Sequence, residues 1–305
     1  MKAQILALCV FAVSGSYIEE VAKNAKLKAV NWEVENPEES RFQGWTEAEI
    51  REFLNFDFTL PKSAEKAKRV YARNVPEHFD VREEWPGCVG SVRDEGPCAS
   101  GWAFSAVKVL EDRFCIDAGF KNLRLSAQVI ISCDGKNPGC RGGQVYLAFL
   151  FLKSEGTVTE ECYPYISGGD GEDHECKYYE GKCPVPGVPF EQYYATNVKY
   201  IQSDVETMQW EIKNNGPVSS SFYVYADFLT YKGGIYEPTS PQRLGGHVVK
   251  VIGWGEQNGV KYWIAQNSWG TGWGEDGFFK IKMGACEFES HIVFASPKLP
   301  TTSSY

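Results

Sequence analysis

The sequence lacks an excess of basic residues, a membrane-length apolar run and an acceptor triplet for N-glycosylation. Its 305 residues include 31 Lys or Arg and 40 Asp or Glu, which give a net charge of −9. Nucleic-acid-binding proteins usually carry a basic stripe, so this balance disfavours nucleic acid as a partner. No segment is apolar over the roughly 20 residues that a membrane-spanning helix needs. The sequence therefore predicts neither a membrane span nor an N-linked glycan.

The composition is that of a folded protein. Hydrophobic residues make up 43% of the chain and aromatic residues 14%, which is enough for a sizeable core. At roughly 150 residues per domain, the length predicts one or two compact domains with additional segments.

Residues 1–16 have the pattern of a secretory signal peptide. An early lysine precedes an apolar run over residues 5–13, and three small residues follow it. A run of this length is too short to cross a bilayer; the alternative is a buried N-terminal helix. We therefore expect the chain in the secretory pathway, either in a lysosome-like or vacuole-like compartment or outside the cell.

The chain contains ten cysteines. Cys9 lies within the signal-like segment, and the other nine all follow residue 87. In a secreted protein they favour disulfide bonds, whereas in a cytosolic protein they would suggest metal or redox chemistry. Because nine is odd, at least one of them has no partner within the chain. We expect no metal site and no cofactor, since the acidic run at residues 170–175 is typical of a solvated loop.

The segment before residue 76 differs in composition from the rest of the chain. Residues 17–75 contain no cysteine and many charges of both signs. This predicts a pro-segment, with an ordinary N-terminal subdomain as the alternative; residues 48–54 and 64–71 within it are predicted to be helical. The body spans residues 76–298, and residues 299–305 form a tail.

The body divides into a helical half, about 76–185, and a β-rich half, about 186–298. Residues 102–116 carry apolar side chains at helical spacing, and 126–132 and 143–153 are further candidate helices. Runs of β-branched and aromatic residues between turns predict strands over 218–225, 247–254, 260–266 and 277–282. The fold class is therefore α+β with two lobes, and a cleft between lobes is a common place for a binding site.

Three motifs carry the candidate chemistry. Residues 93–105 read RDEGPCASGWAFS and place small residues directly before a helix, whose N-terminal end favours an anion. Residues 245–255 read GGHVVKVIGWG and place His247 at the start of a buried strand. Residues 266–274 read QNSWGTGWG and place Asn267 and Trp269 at a strand end.

Together these motifs resemble the papain family of cysteine peptidases, and its cathepsin B-like branch most closely. The resemblance extends over about residues 76–296. It includes five shorter motifs in the family order, namely FDVREEWP at 79–86, DRFCI at 112–116, GCRGG at 139–143, NGP at 215–217 and YKGGIY at 231–236. It implies a papain-like two-lobe fold, with a helical, disulfide-rich left lobe, a β-barrel-like right lobe and the cleft between them.

The resemblance also implies roles for single residues. In the family, a cysteine attacks the peptide, a histidine takes its proton, an asparagine orients the histidine and a glutamine stabilises the oxyanion. His247 and Asn267 match the histidine and the asparagine, and Trp269 would shield their hydrogen bond from water. Gly101 stands at the cysteine position and Glu95 at the glutamine position.

Both substitutions remove a chemical group. Glycine has no nucleophile, and Ser100 would point about 100° away on a helix. An ionised carboxylate only accepts hydrogen bonds, so Glu95 would repel the oxyanion. We therefore predict an inactive, monomeric pseudopeptidase whose cleft holds peptides, its own pro-segment or cystatin-like inhibitors. The alternatives are an active cysteine endopeptidase, if Gly101 is a sequence error or an engineered change, and a secreted interaction module whose cleft has no role.

Further cleft residues follow from the resemblance. Gly142 and Gly143 match glycines that pair with the substrate main chain, with plain turn glycines as the alternative. Val218 and Gly246 would line the walls of the main specificity pocket. His291 aligns with the floor of that pocket, where its titration would make the preference pH-dependent; the alternative is a surface histidine on the last strand.

The resemblance finally implies a set of disulfide bonds. The implied pairs are Cys88–Cys115, Cys98–Cys140, Cys133–Cys176 and Cys162–Cys183, and they leave Cys286 unpaired. Spacing alone does not choose among the possible pairings.

Overall fold

The computed structural model describes residues 16–29, 31–71 and 75–299. Apart from Ser16, the predicted signal peptide lies outside the described residues, as do residues 300–305 of the predicted tail. Within the described ranges, no helix has both the length and the apolar character needed to cross a membrane.

The N-terminal segment, residues 17–75, forms α1 (Tyr17–Lys26), β1 (Trp32–Val34) and α2 (Glu47–Phe53). α2 begins with a capping box, in which Thr46 accepts from the backbone N–H of Glu49 and the Glu49 carboxylate accepts from the N–H of Thr46. Apolar side chains of the segment are buried in the same core as those of the β-rich half; they include Ile18, Trp32, Phe42, Ile50 and Phe53. The segment is therefore packed as part of the fold.

The helix predicted over residues 64–71 is wrong. These residues have no regular secondary structure, apart from an isolated parallel bridge between Lys66 and Tyr200. The carbonyl of Glu65 accepts from the N–H of Tyr200 at 3.0 Å, and the N–H of Ala67 donates to the carbonyl of Tyr200 at 2.8 Å. Pairing with a strand of the body therefore overrides a local composition of good helix formers.

The helical half follows with β2 (Phe79–Asp80), α3 (Val81–Glu84), α4 (Gly101–Ala118), α5 (Ala127–Cys133) and α6 (Val145–Ser154). The three predicted helices are confirmed to within two residues at each end. α4 is buried from its first residue to Cys115, and Gly119, in the left-handed conformation, ends it. α4 thus forms the centre of this half and presents its N-terminus to the other half.

Disulfide bonds brace the helical half. The structure contains the same four pairs that the resemblance implies: Cys88–Cys115, Cys98–Cys140, Cys133–Cys176 and Cys162–Cys183. Among the described cysteines, Cys286 is the one without a bond, and it is buried.

The β-rich half contains one α-helix, α7 (Val205–Asn215), and seven strands. These are β3 (Ala195–Ile201), β4 (Val218–Tyr225), β5 (Tyr231–Tyr236), β6 (Arg243–Gln257), β7 (Val260–Gln266), β8 (Phe278–Lys282) and β9 (His291–Pro297). The described strands follow the order β1-β5-β8-β7-β6-β4-β9-β3, with β2 added on β6. This path has two ends, so the sheet is open and the predicted β-barrel-like lobe is wrong. One end is β1 of the N-terminal segment, which pairs antiparallel with β5 and thereby covers that edge.

Candidate active site

His247 and Asn267 form a buried hydrogen-bonded pair. His247 lies on β6 and Asn267 directly follows β7, and these neighbouring strands bring His247 Nε2 to 2.8 Å from Asn267 Oδ1. The same oxygen accepts from the backbone N–H of Ser268 at 2.8 Å. An amide oxygen only accepts, so Nε2 carries the proton. In the neutral ring, Nδ1 is therefore the acceptor, and it is this atom that faces Gly101.

Trp269 covers the pair from the side of the β-rich half. Its ring stacks on the His247 ring with centroids 4.8 Å apart. Two aromatic rings of the N-terminal segment, Phe42 and Phe53, pack against Trp269 at 5.1 and 6.2 Å. With Trp269 only 1% exposed, the hydrogen bond between His247 and Asn267 is shielded from water.

Gly101 is the first residue of α4 and lies directly against the imidazole. A β-carbon built on Gly101 would be 2.5 Å from His247 Cε1, 2.9 Å from Nδ1 and 3.2 Å from the carbonyl oxygen of Val248. All three distances are shorter than ordinary van der Waals contact. The histidine ring therefore occupies the space that a side chain at position 101 would need.

Ser100 does not face the histidine. Its Oγ lies 3.2 Å from the carbonyl oxygen of Cys98 and 3.2 Å from the hydroxyl of Tyr165, and the residue is fully buried. Its hydroxyl is thus committed to the helical half, in keeping with the direction predicted from helical geometry.

Glu95 is enclosed beneath the N-terminus of α4. Its Oε2 accepts from the backbone N–H of Ser100 at 2.9 Å, and its Oε1 lies 3.1 Å from Ser268 Oγ. Burial raises the pKa of Glu95 to about 8, against the lowering effects of Arg41 and of these hydrogen bonds. The expectation of an ionised carboxylate is therefore wrong below that pH. With no exposed surface, the carboxyl group bridges the two halves and presents nothing to the cleft.

His247 is neutral over the same range. Burial lowers its pKa to about 4, although the hydrogen bond to Asn267 acts in the opposite direction. Glu95 Oε1 is 3.8 Å from His247 Nε2, yet between about pH 4 and pH 8 both groups are uncharged. The thiolate–imidazolium pair on which cysteine peptidases depend is therefore not formed here, since His247 is neutral and Gly101 carries no thiol.

The N-terminal segment fills the cleft in front of this pair. The N–H of Asp57 donates to the carbonyl of Gly143 at 3.3 Å, and the N–H of Gly246 donates to the carbonyl of Leu54 at 2.8 Å. Gly142, at φ +98°, approaches the carbonyl of Asn55 so closely that a β-carbon would overlap it. The predicted cleft glycines Gly142, Gly143 and Gly246 thus all contact the main chain of the N-terminal segment.

Phe58 of this segment enters a side-chain pocket. Its ring centroid lies 4.3 Å from that of Tyr223 and 5.2 Å from that of His291. Gly246 leaves room for the ring, since a β-carbon there would be 2.5 Å from Phe58 Cε2. His291 and Gly246 are therefore brought together at this pocket.

Val218 does not line that pocket, contrary to its predicted place. It is fully buried in the core of the β-rich half together with Phe222. Side chains alternate between the two faces of a strand, and Val218 and Phe222 lie on the opposite face of β4 from Tyr223. Tyr223 forms the wall instead, and counting alternate residues along β4 identifies it.

No cluster of three or more His, Cys, Asp or Glu side chains suited to a metal ion occurs among residues 16–29, 31–71 and 75–299. The residues around His247 are held by hydrogen bonds and aromatic contacts within the protein.

Comparisons with known proteins give the family of the chain. The profile of the papain family cysteine proteases matches residues 75–296. Cathepsin B-like CP3 of Giardia intestinalis is 35% identical over 302 residues, which cover 96% of this chain and 98% of that protein. Cathepsin B-like cysteine proteinase 3 of Caenorhabditis elegans is 36% identical over 286 residues, covering 82% of this chain and 75% of that protein.

The solved structures include procathepsin B S9 from Trypanosoma congolense, which superposes with a TM-score of 0.82 at 28% identity. The superposition covers 92% of this chain and 98% of that one, so it extends over the N-terminal segment as well as the body. Since the family match spans most of the sequence and includes both His247 and Asn267, the chain belongs to the papain family of cysteine proteases, with cathepsin B-like relatives.

Proposed function

We propose that this chain is a catalytically inactive member of its family that holds peptide segments in its cleft. The observation that carries the proposal is the glycine at position 101, opposite His247 Nδ1. The histidine has an acceptor nitrogen but no thiol or hydroxyl from which to take a proton. The neighbouring hydroxyl, that of Ser100, is hydrogen-bonded to Cys98 and Tyr165 in the helical half.

The binding surface of the cleft is retained. Gly143 and Gly246 each form a main-chain hydrogen bond with the N-terminal segment, and Phe58 fills a side-chain pocket between Tyr223 and His291. These contacts support peptides as the ligand class, with the chain's own residues 54–59 as the first occupant. We accordingly assign residues 17–75 as a pro-segment that stays in place.

The proposal also includes the compartment, the oligomeric state and the inhibitors of the protein. The signal-like residues 1–16 and the four disulfide bonds support the secretory pathway. There the chain would act as a monomer, and cystatin-like inhibitors would compete with the pro-segment for the cleft.

A peptidase assay tests the proposal. The N-terminal segment is removed by an added aspartic peptidase, which pepstatin then silences, and hydrolysis of fluorogenic peptides is followed. We expect no turnover above the buffer. Of the nine cysteines after residue 87, a thiol-directed probe should label only Cys286, and only after unfolding. Binding of a cystatin-like inhibitor to the same sample shows that the cleft has persisted. Turnover that a thiol reagent abolishes would contradict the proposal.

The second candidate is an active cysteine endopeptidase, which applies if the natural protein has cysteine at position 101. The 2.8 Å hydrogen bond between His247 and Asn267 favours it, because this pair is already oriented for proton transfer. Resequencing the codon for residue 101 decides between the two candidates.

A further inference from the structure

The pocket that Phe58 occupies has a polar floor. Ser221 on β4 lies directly opposite His291 on β9, and residues opposite each other on neighbouring strands point to the same face of a sheet. Tyr223, two residues further along β4, points to that face as well, and its ring lies against Phe58. Ser221 and His291 therefore share this pocket.

Two polar atoms in the pocket have no partner. Ser221 Oγ and His291 Nδ1 are both buried, and within the part of the chain that the structure describes neither forms a hydrogen bond. Ser221 is 1% exposed. Buried polar atoms without a partner are unfavourable and uncommon in folded proteins. The ring of Phe58 fills the pocket but has no polar atom to offer them.

We propose that this pocket selects a tyrosine side chain from the peptides that enter the cleft; this inference rests on the peptide-holding function proposed above. The phenol ring takes the place of Phe58 between Tyr223 and His291. Its hydroxyl both donates and accepts, so it satisfies a serine hydroxyl and an imidazole nitrogen at once. Ser221 and His291 are then the residues that determine specificity.

Two further observations support the assignment. Burial lowers the pKa of His291, so the ring is neutral near pH 7 and its Nδ1 either donates or accepts according to the tautomer. The guanidinium of Arg243 lies 3.5 Å from the centroid of the Tyr223 ring. This stacking holds the aromatic wall in place for a second ring.

The test is Phe58→Tyr in the full chain. Its readout is hydrogen exchange at the backbone amides of Asp57 and Gly246, which join the segment to the cleft. One additional net hydrogen bond predicts about fivefold slower exchange. The gain should vanish when Phe58→Tyr is combined with Ser221→Ala, relative to Ser221→Ala alone. Phe56→Tyr, which adds the same hydroxyl away from the pocket floor, is the matched control and should leave the rates unchanged.

Unchanged or faster exchange in Phe58→Tyr overturns the inference, and so does a gain that persists with Ser221→Ala. The peptidase assay remains a separate measurement. A chain without turnover keeps its proposed function whichever side chain the pocket prefers, and turnover would remove that function without altering the exchange result.

Discussion

The Cε1 atom of His247 lies only 2.5 Å from the point where a β-carbon on Gly101 would be. The imidazole stacks on Trp269, with ring centroids 4.8 Å apart, and its Nε2 is hydrogen-bonded to Asn267 Oδ1 at 2.8 Å. It is therefore held in that position from two sides. Loss of a side chain at position 101 has therefore not left a hole in the protein. The histidine itself has become the packing partner of the N-terminus of α4.

Gly101→Ala should destabilise the fold. Forcing an additional carbon into a filled site costs about 1–3 kcal/mol, while alanine gains up to about 1 kcal/mol in helix propensity. We expect a net loss of about 1–2 kcal/mol in the free energy of unfolding, measured by denaturant titration. Gly135→Ala is the control, because a β-carbon there meets no atom within 4 Å. Equal stability of the two variants would show that the His247 ring can move aside without a cost in free energy.

Gly101→Cys alone should restore little peptidase activity. The thiol requires His247 to shift, and both carboxyl oxygens of Glu95 are already engaged by Ser100 and Ser268. Adding Glu95→Gln supplies an amide N–H in the family's oxyanion position, a group whose loss typically costs about 10²–10³ in rate. The double variant should therefore exceed the single one by about that factor, measured as kcat after removal of the N-terminal segment. Equal rates in the two variants would show that Glu95 does not limit catalysis.

Much of the fold could be predicted from local patterns. β4 and β7 begin and end at the residues predicted, 218–225 and 260–266, because runs of β-branched and aromatic residues stand between clear turn signals. α4 was predictable since its apolar residues recur at helical spacing. Residues 64–71 were not, because their non-helical conformation depends on hydrogen bonds to Tyr200, more than 100 residues away.

The motifs predict that His247 and Asn267 lie together, but not the protonation state of the groups around them. His247 and Asn267 follow from the motifs around them, whereas the protonation of Glu95 depends on burial by several distant segments. Its partners Ser100 and Ser268 lie in different halves of the molecule, and Arg41 belongs to the N-terminal segment. No pattern along the chain records that environment.

Glu95→Gln should remove the fall in stability that Glu95 causes as pH rises. The pKa of Glu95 is raised to about 8 in the folded state, against about 4.3 in an unfolded chain. Between these values the folded state binds the additional proton, so stability falls as pH rises from about 4.3 to 8, by at most about 1.4 kcal/mol per pH unit. His247, with its pKa lowered to about 4, contributes the opposite slope below about pH 6.5 in both proteins. The difference between the two stability profiles isolates Glu95, and parallel profiles from pH 5 to pH 8 would contradict its buried, neutral state.

The purified chain should retain residues 17–75 at acid pH. Self-removal of the segment needs a nucleophile opposite His247, and Gly101 provides none. The segment is also bound through Phe42 and Phe53 against Trp269 and through β1 on β5. Intact mass measured over a day at pH 4.5 should therefore stay constant, with the Gly101→Cys, Glu95→Gln variant as the positive control. Loss of the segment at a rate that does not depend on protein concentration would reveal a nucleophile within the chain and overturn the assignment of Gly101.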